Sequence, residues 1–123
     1  MSVVLSHLVP DAVGVMSVFH LVSAGSTNQT SVKGGQGQLY GWFVSNRSAG
    51  SRKLVFHDTS GTPTAGSGVY FVLDLPAGSA ANASVPQGIP FASGIAISTV
   101  SGMADSDATA VSANDLNINL WYK

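Results

Sequence analysis

Apolar residues along this chain come in short runs, and glycine, serine, threonine, asparagine and proline fill the gaps between them. Two runs alternate strictly. In Val69-Tyr70-Phe71-Val72-Leu73-Asp74-Leu75 the odd positions form one apolar face. In Asp115-Leu116-Asn117-Ile118-Asn119-Leu120-Trp121-Tyr122-Lys123 the leucines and Ile118 point one way and the asparagines the other. A repeat of two marks a strand with one face on a core. Further runs rich in β-branched and aromatic residues lie at Val15–Ser23, Leu39–Ser45, Arg52–Asp58 and Gly94–Val100, and Ser79–Val85 alternates small residues. This predicts seven or eight short strands and an antiparallel sandwich or barrel. The expectation is an all-β chain with a single jelly-roll-like β-sandwich over 14–123.

The intervening stretches carry turn chemistry. Ala24 to Gln38 is polar and glycine-rich and reads as a loop, as does Thr59 to Gly68. Pro76-Ala77-Gly78 reads as a turn. Pro86 to Gly94 holds two prolines and two glycines and is expected to cross rigidly between sheets. Residues 1–13 differ. Val3, Val4, Leu5, Leu8, Val9 and Val13 are apolar without a clean period, and Pro10 interrupts them. We expect this segment to be an edge strand or an extended arm, which at full stretch reaches about 43 Å.

Composition changes the picture in one respect. Only 9% of the residues are charged, 5 basic and 6 acidic, and no glutamate is among them. An ordinary soluble domain carries about 25%. A folded monomer of this size exposes roughly 6,000 Å², so charge is thin on its surface, and such surfaces self-associate. Much of the surface is therefore expected to be covered by other subunits. The net charge of −1 gives no electrostatic case for nucleic acid or an anionic membrane. No apolar run is long enough to span a bilayer as a helix. With no cysteine, a disulfide or thiolate metal site is impossible. The charges at Arg47, Arg52, Lys53, Asp58, Asp105 and Asp107 fall in or beside predicted loops and are expected at rims and exposed ends.

Candidate chemistry is sparse. His57-Asp58 among many serines invites a Ser-His-Asp triad, but no Gly-x-Ser-x-Gly elbow accompanies it. Asp105 and Asp107 have the spacing that opens a calcium loop, without the glycine and glutamate that complete one, and read as a solvated turn. His7, His20 and His57 lack metal-ligand spacing; His20 is expected as a hydrogen-bonded packing residue. Gly34-Gly35-Gln36-Gly37 has no helix signal after it and is no phosphate cradle. Trp42, Trp121, Tyr40, Tyr70 and Tyr122 could form a sugar-stacking platform, but Trp42 and Trp121 fit a sheet face or subunit contact better. No catalytic residue, metal or cofactor is expected.

The stretch from Leu39 to Lys123, about two thirds of the chain, resembles small tailed-bacteriophage virion proteins. The matching pieces are Leu39-Tyr40-Gly41-Trp42-Phe43-Val44-Ser45-Asn46, Arg52-Lys53-Leu54-Val55-Phe56-His57-Asp58, Leu75-Pro76-Ala77-Gly78-Ser79, Pro86 to Ile95, Asp105-Ser106-Asp107-Ala108-Thr109 and Leu120-Trp121-Tyr122-Lys123. The resemblance implies a capsid decoration (cement) protein, a homotrimer seated on the major capsid protein at the virion surface and made in the host cytoplasm. It implies no enzyme activity. A head-fibre, tail or baseplate component of the same fold, or a carbohydrate-binding module, is the alternative. Expected partner contacts are Val3, Val4, Leu5, Leu8, Val9, Trp42 and Trp121.

Overall fold

The computed structural model describes residues 15–123. Eight strands form two four-stranded antiparallel sheets. They are β1 (Ser17–Val22), β2 (Thr30–Lys33), β3 (Gly37–Asn46), β4 (Arg52–Asp58), β5 (Phe71–Leu75), β6 (Ala80–Phe91), β7 (Ile95–Val100) and β8 (Leu116–Tyr122). The first sheet has the order β1-β8-β3-β6 and the second β2-β7-β4-β5. The pairings are nested: β1 with β8, β2 with β7, β3 with β6, β4 with β5. The two halves of the chain thus run beside each other as one long double strand, wrapped so that most successive strands change sheets. The expected all-β sandwich is the fold found. The segment 1–13 and the contacts expected from Val3, Val4, Leu5, Leu8 and Val9 lie outside the described residues.

The alternating runs supply the core between the sheets. Leu116, Ile118 and Leu120 of β8 meet Leu54 and Phe56 of β4, Ile95 and Ile97 of β7, and Leu75 of β5, all shut off from solvent. Phe56 stacks on Phe71 at 4.4 Å, and Phe91 and Trp42 pack around that pair at ring-centroid distances of 6.2–6.4 Å. Asn46 pins the β3–β4 corner. Its amide donates to the carbonyls of Gly50, Leu75 and Pro76, and its oxygen accepts from the Ser48 N–H and hydroxyl.

Two segments depart from the sequence reading. Residues expected to be one loop from Ala24 to Gln38 contain β2, a four-residue edge strand on β7 with an irregular register. It has one apolar residue, Val32, too few to show a period. The proline-rich stretch from Pro86 does not cross between sheets. It continues β6 to Phe91, paired with β3 throughout except at a bulge opposite Tyr40, where Gly88 takes φ +78°. Because β6 is an edge strand, the missing proline N–H groups cost no ladder bond. The crossing happens later, at Ala92–Gly94, where the Asp58 carboxylate accepts all three backbone N–H groups at 2.8–3.3 Å. Those bonds, that of Ser93 foremost, hold Asp58 below the ordinary carboxylate pKa.

The central β4–β7 pair of the second sheet is buried on both faces. All of β7 and the middle of β4 are inaccessible. Loops 59–70 and 101–115 lie over the outer face and meet where Gly66 approaches the Ser106 carbonyl. Polar side chains beneath them find partners inside. Lys53, 1% exposed, donates to the carbonyls of Met103 and Ala104. This corrects the expectation that Lys53 marks an exposed rim. Asp107 organises the covering loop by accepting from the N–H groups of Gly102 and Thr109 and from the Thr109 hydroxyl.

Burial holds the His57 pKa below its ordinary 6.5, the bonds to the Gly68 and Ser67 backbone opposing it only in part. The folded state therefore favours neutral His57. Its contribution is complete above pH 6.5 and is lost as pH falls through the lowered native value. The depressed Asp58 loses its contribution only below about 3.8. The thermal stability of the native protein is expected to fall as pH drops from 6.5 toward 3.8, and His57→Gln to flatten that part of the profile. An unchanged slope in the variant would assign the loss to other groups.

Candidate interaction face

The first sheet contrasts with the second: among the described residues its outer face is bare. Strand register sets three rows across its four strands. Val18, Trp121, Gly41 and Ser84 form one row. His20, Asn119, Phe43 and Asn82 form the next, and Val22, Asn117, Ser45 and Ala80 the third. No aspartate, glutamate, lysine or arginine lies in these rows, and large apolar groups stand open to solvent. Val18 is 71% exposed, Phe43 47% and Val22 42%. Met16, just before β1, extends the apolar margin.

The polar members of the face are tied to one another. The Asn119 oxygen lies 2.9 Å from His20 Nδ1, and its amide donates to the Phe43 carbonyl at 3.1 Å and to Asn117 Oδ1 at 3.2 Å. His20 is hydrogen-bonded as expected, but it sits on this exposed face rather than in packing. Bonding within the sheet lowers what these groups lose when a partner displaces water.

The two tryptophans part company. Trp121 lies on the outer face directly above Gly41, where a Cβ would clash with the indole Nε1 and come within 2.7 Å of the Ala83 carbonyl. Glycine at 41 is what allows the indole to lie there. Trp42 turns the other way, into the sandwich against Phe56 and Phe71. Of the two, Trp121 is half-exposed on the outer face and Trp42 packs against the core. The expected aromatic platform is likewise divided. Tyr122 packs on the core, Tyr70 sits at the end of the sandwich, and only Tyr40 stands near Trp121, lining with Met16 and Pro86 a small cleft at the margin of the face. The residues that sequence reasoning missed are Val18, Val22 and Phe43. Their signal was parity, because each lies an odd number of positions from an inward neighbour.

The other candidate constellations resolve as scaffolding. His57 Nε2 lies 2.8 Å from Ser98 Oγ, and Nδ1 lies 3.1 Å from the Gly68 carbonyl. A carbonyl only accepts, so Nδ1 bears the proton and Ser98 donates to Nε2. Both residues are buried, and Asp58 faces the β6–β7 crossing instead. Asp105 is 74% exposed and 3.7 Å from the Lys53 ammonium. Arg52 pairs with Asp115 at 2.8 Å. Among the described residues no three acidic or histidine side chains gather as a metal site, and no helix is long and apolar enough to cross a membrane.

No family model, curated protein or solved structure matches this chain.

The division of the tryptophans is measurable. Trp42→Ala is expected to destabilise the protein by about 3 kcal/mol or more, as a core truncation does. Trp121→Ala is expected to cost clearly less, because the ring it removes covers only a glycine on one side. Equilibrium urea unfolding of the two variants checks the order, and equal losses would place both rings in the core.

Proposed function

We propose that this chain is a non-enzymatic virion structural protein, a capsid decoration (cement) protein that binds a phage head as a homotrimer and stabilises joints of the major capsid protein. The observation that carries this reading is the outer face of the β1-β8-β3-β6 sheet, bare among the described residues and free of aspartate, glutamate, lysine and arginine, set against a second sheet whose central strands are covered on both faces. A neutral face meets a neighbour with little charge desolvation. The nested strand pairing supports reading the sandwich as a jelly roll, an architecture used in viral capsid and lectin domains, although a fold alone sets no function.

The size of the face fits assembly by many weak contacts. Four strands at ~4.8 Å spacing, three rows deep, give a footprint of a few hundred Å². A standard interface buries about 800 Å² per partner. One such patch holds a partner weakly, and symmetric copies on a lattice multiply that into firm attachment. Cementing of this kind is mechanical: it adds buried area across joints that internal DNA pressure loads. A tail or baseplate component would use the same face in far fewer copies.

Native mass spectrometry of the purified chain is expected to show a trimer, and sedimentation with shells of the major capsid protein to show saturable binding at high copy number. Phe43→Asp is expected to weaken capsid binding by about tenfold or more, by placing an unpaired charge in the contact. Its melting temperature should stay close to that of the parent, because the site is exposed. Binding untouched by Phe43→Asp and Val18→Asp together would remove this face from the contact. A monomer that never sediments with shells would overturn the reading.

A further inference from the structure

A cleft of about 530 Å³ opens at one end of the sandwich, away from the centre of the bare face. The β2–β3 turn forms one side, and Tyr70 with the end of β6 forms the other. Its volume is that of small-molecule sites, about 300–1,000 Å³. Phe91, fully buried, makes the floor. Tyr70, 43% exposed, makes a wall that is already fixed. Its hydroxyl donates to the Pro90 carbonyl at 2.8 Å, and its ring meets Phe91 edge-on at 5.0 Å. The wall thus offers an aromatic face whose polar end is occupied.

The polar lining is one-sided. Asp58, the carboxylate on the cleft, already accepts three backbone N–H groups. The Gln38 side-chain oxygen accepts from the Tyr40 hydroxyl at 2.5 Å, which leaves its NH2 to donate. Lys33 and Lys123 line the cleft from two different strand ends; the Lys123 ammonium lies 5.8 Å from the centroid of the Tyr40 ring, and neither lysine forms an ion pair among the described residues. The Gln36 amide completes the lining. What faces a ligand is therefore two ammonium groups against the single Asp58 carboxylate, a lining of net positive charge, with amide donors and one aromatic face.

We propose that this cleft binds an acidic sugar, a pyranose ring bearing a carboxylate. The carboxylate accepts from the lysines, the amides meet ring hydroxyls, and the polarised C–H bonds of the ring lie against the electron-rich face of Tyr70. Inorganic phosphate would leave Tyr70 and most of the volume unused. A neutral sugar would leave the ammonium groups without a counter-charge. A nucleotide base carries donors as well as acceptors on its edge, and a cleft that offers mainly donors leaves the base's donors unpaired. The site is independent of the capsid reading, since it uses neither Trp121 nor the bare face.

Titration of the full chain with glucuronate and galacturonate, followed by amide NMR, tests this. At least one uronate is expected to give saturable shifts centred on Gln36–Gln38 and Ala92. Glucose, inorganic phosphate and adenosine monophosphate are each expected to bind about tenfold more weakly or less, as loss of a charge-assisted bond or of stacking implies. Lys33→Gln, a surface change that leaves the fold intact, is expected to weaken uronate binding about tenfold, and Tyr70→Phe to preserve it. No saturable uronate shift at this end, equal binding of glucose, tighter binding of the nucleotide, or indifference to Lys33→Gln would each overturn the proposal.

Discussion

Burial of both faces of the β4–β7 pair is the constraint on which the rest of the structure depends. One face packs on the other sheet through Leu54, Phe56, Ile95 and Ile97. The other carries Lys53, Val55, His57, Ala96, Ser98 and Val100, and every one of these is buried as well. A buried lysine and histidine are tolerable only if each polar atom finds a partner. The partners are carbonyls of the covering loops: Met103 and Ala104 for Lys53, Gly68 for His57. Among the described residues no buried side-chain polar atom lacks a hydrogen bond. The loops are therefore as much a part of the fold as the strands beneath them.

That requirement explains where the scarce charges went. Asp107 shapes the loop above β4 and β7, Asp58 fastens the β6–β7 crossing, and Arg52 with Asp115 closes the far corner. Charge spent on internal scaffolding is not available to keep a surface wet. Among the described residues the first sheet has no loop above it and no aspartate, glutamate, lysine or arginine on its outer rows, so its valines and Phe43 meet solvent directly. Low charge over the whole chain thus concentrates into one face, while one sheet end keeps a pair of lysines beside an aromatic wall.

Edge strands show how local rules yield to position. The prolines of β6 argue for a break, yet the strand persists because it borders the sheet and its outer N–H groups need no partner. The bulge at Tyr40 is equally consequential. Leu39 and Val44 both face the core although five positions separate them, a spacing no unbroken strand allows. Counting from Val44 sends Trp42 inward; counting from Leu39 sends it out. The structure turns Trp42, expected as a partner contact, into the sandwich at that point, and the sequence carries no mark of where the count resets.

The amino-acid order by itself determined the β class, most strand positions and the inward set of β5 and β8, because alternation over an uninterrupted strand is a local property of the chain. It also determined that some surface would be charge-poor. Only the tertiary structure decided which surface. Whether a strand's second face meets solvent or a loop depends on how segments far apart in sequence come together, as 101–115 does over β4. The same holds for the cleft at the sandwich end, whose lysines, Lys33 and Lys123, come from opposite halves of the chain. The nested pairing of strands brings those residues together, and no spacing in the sequence records it.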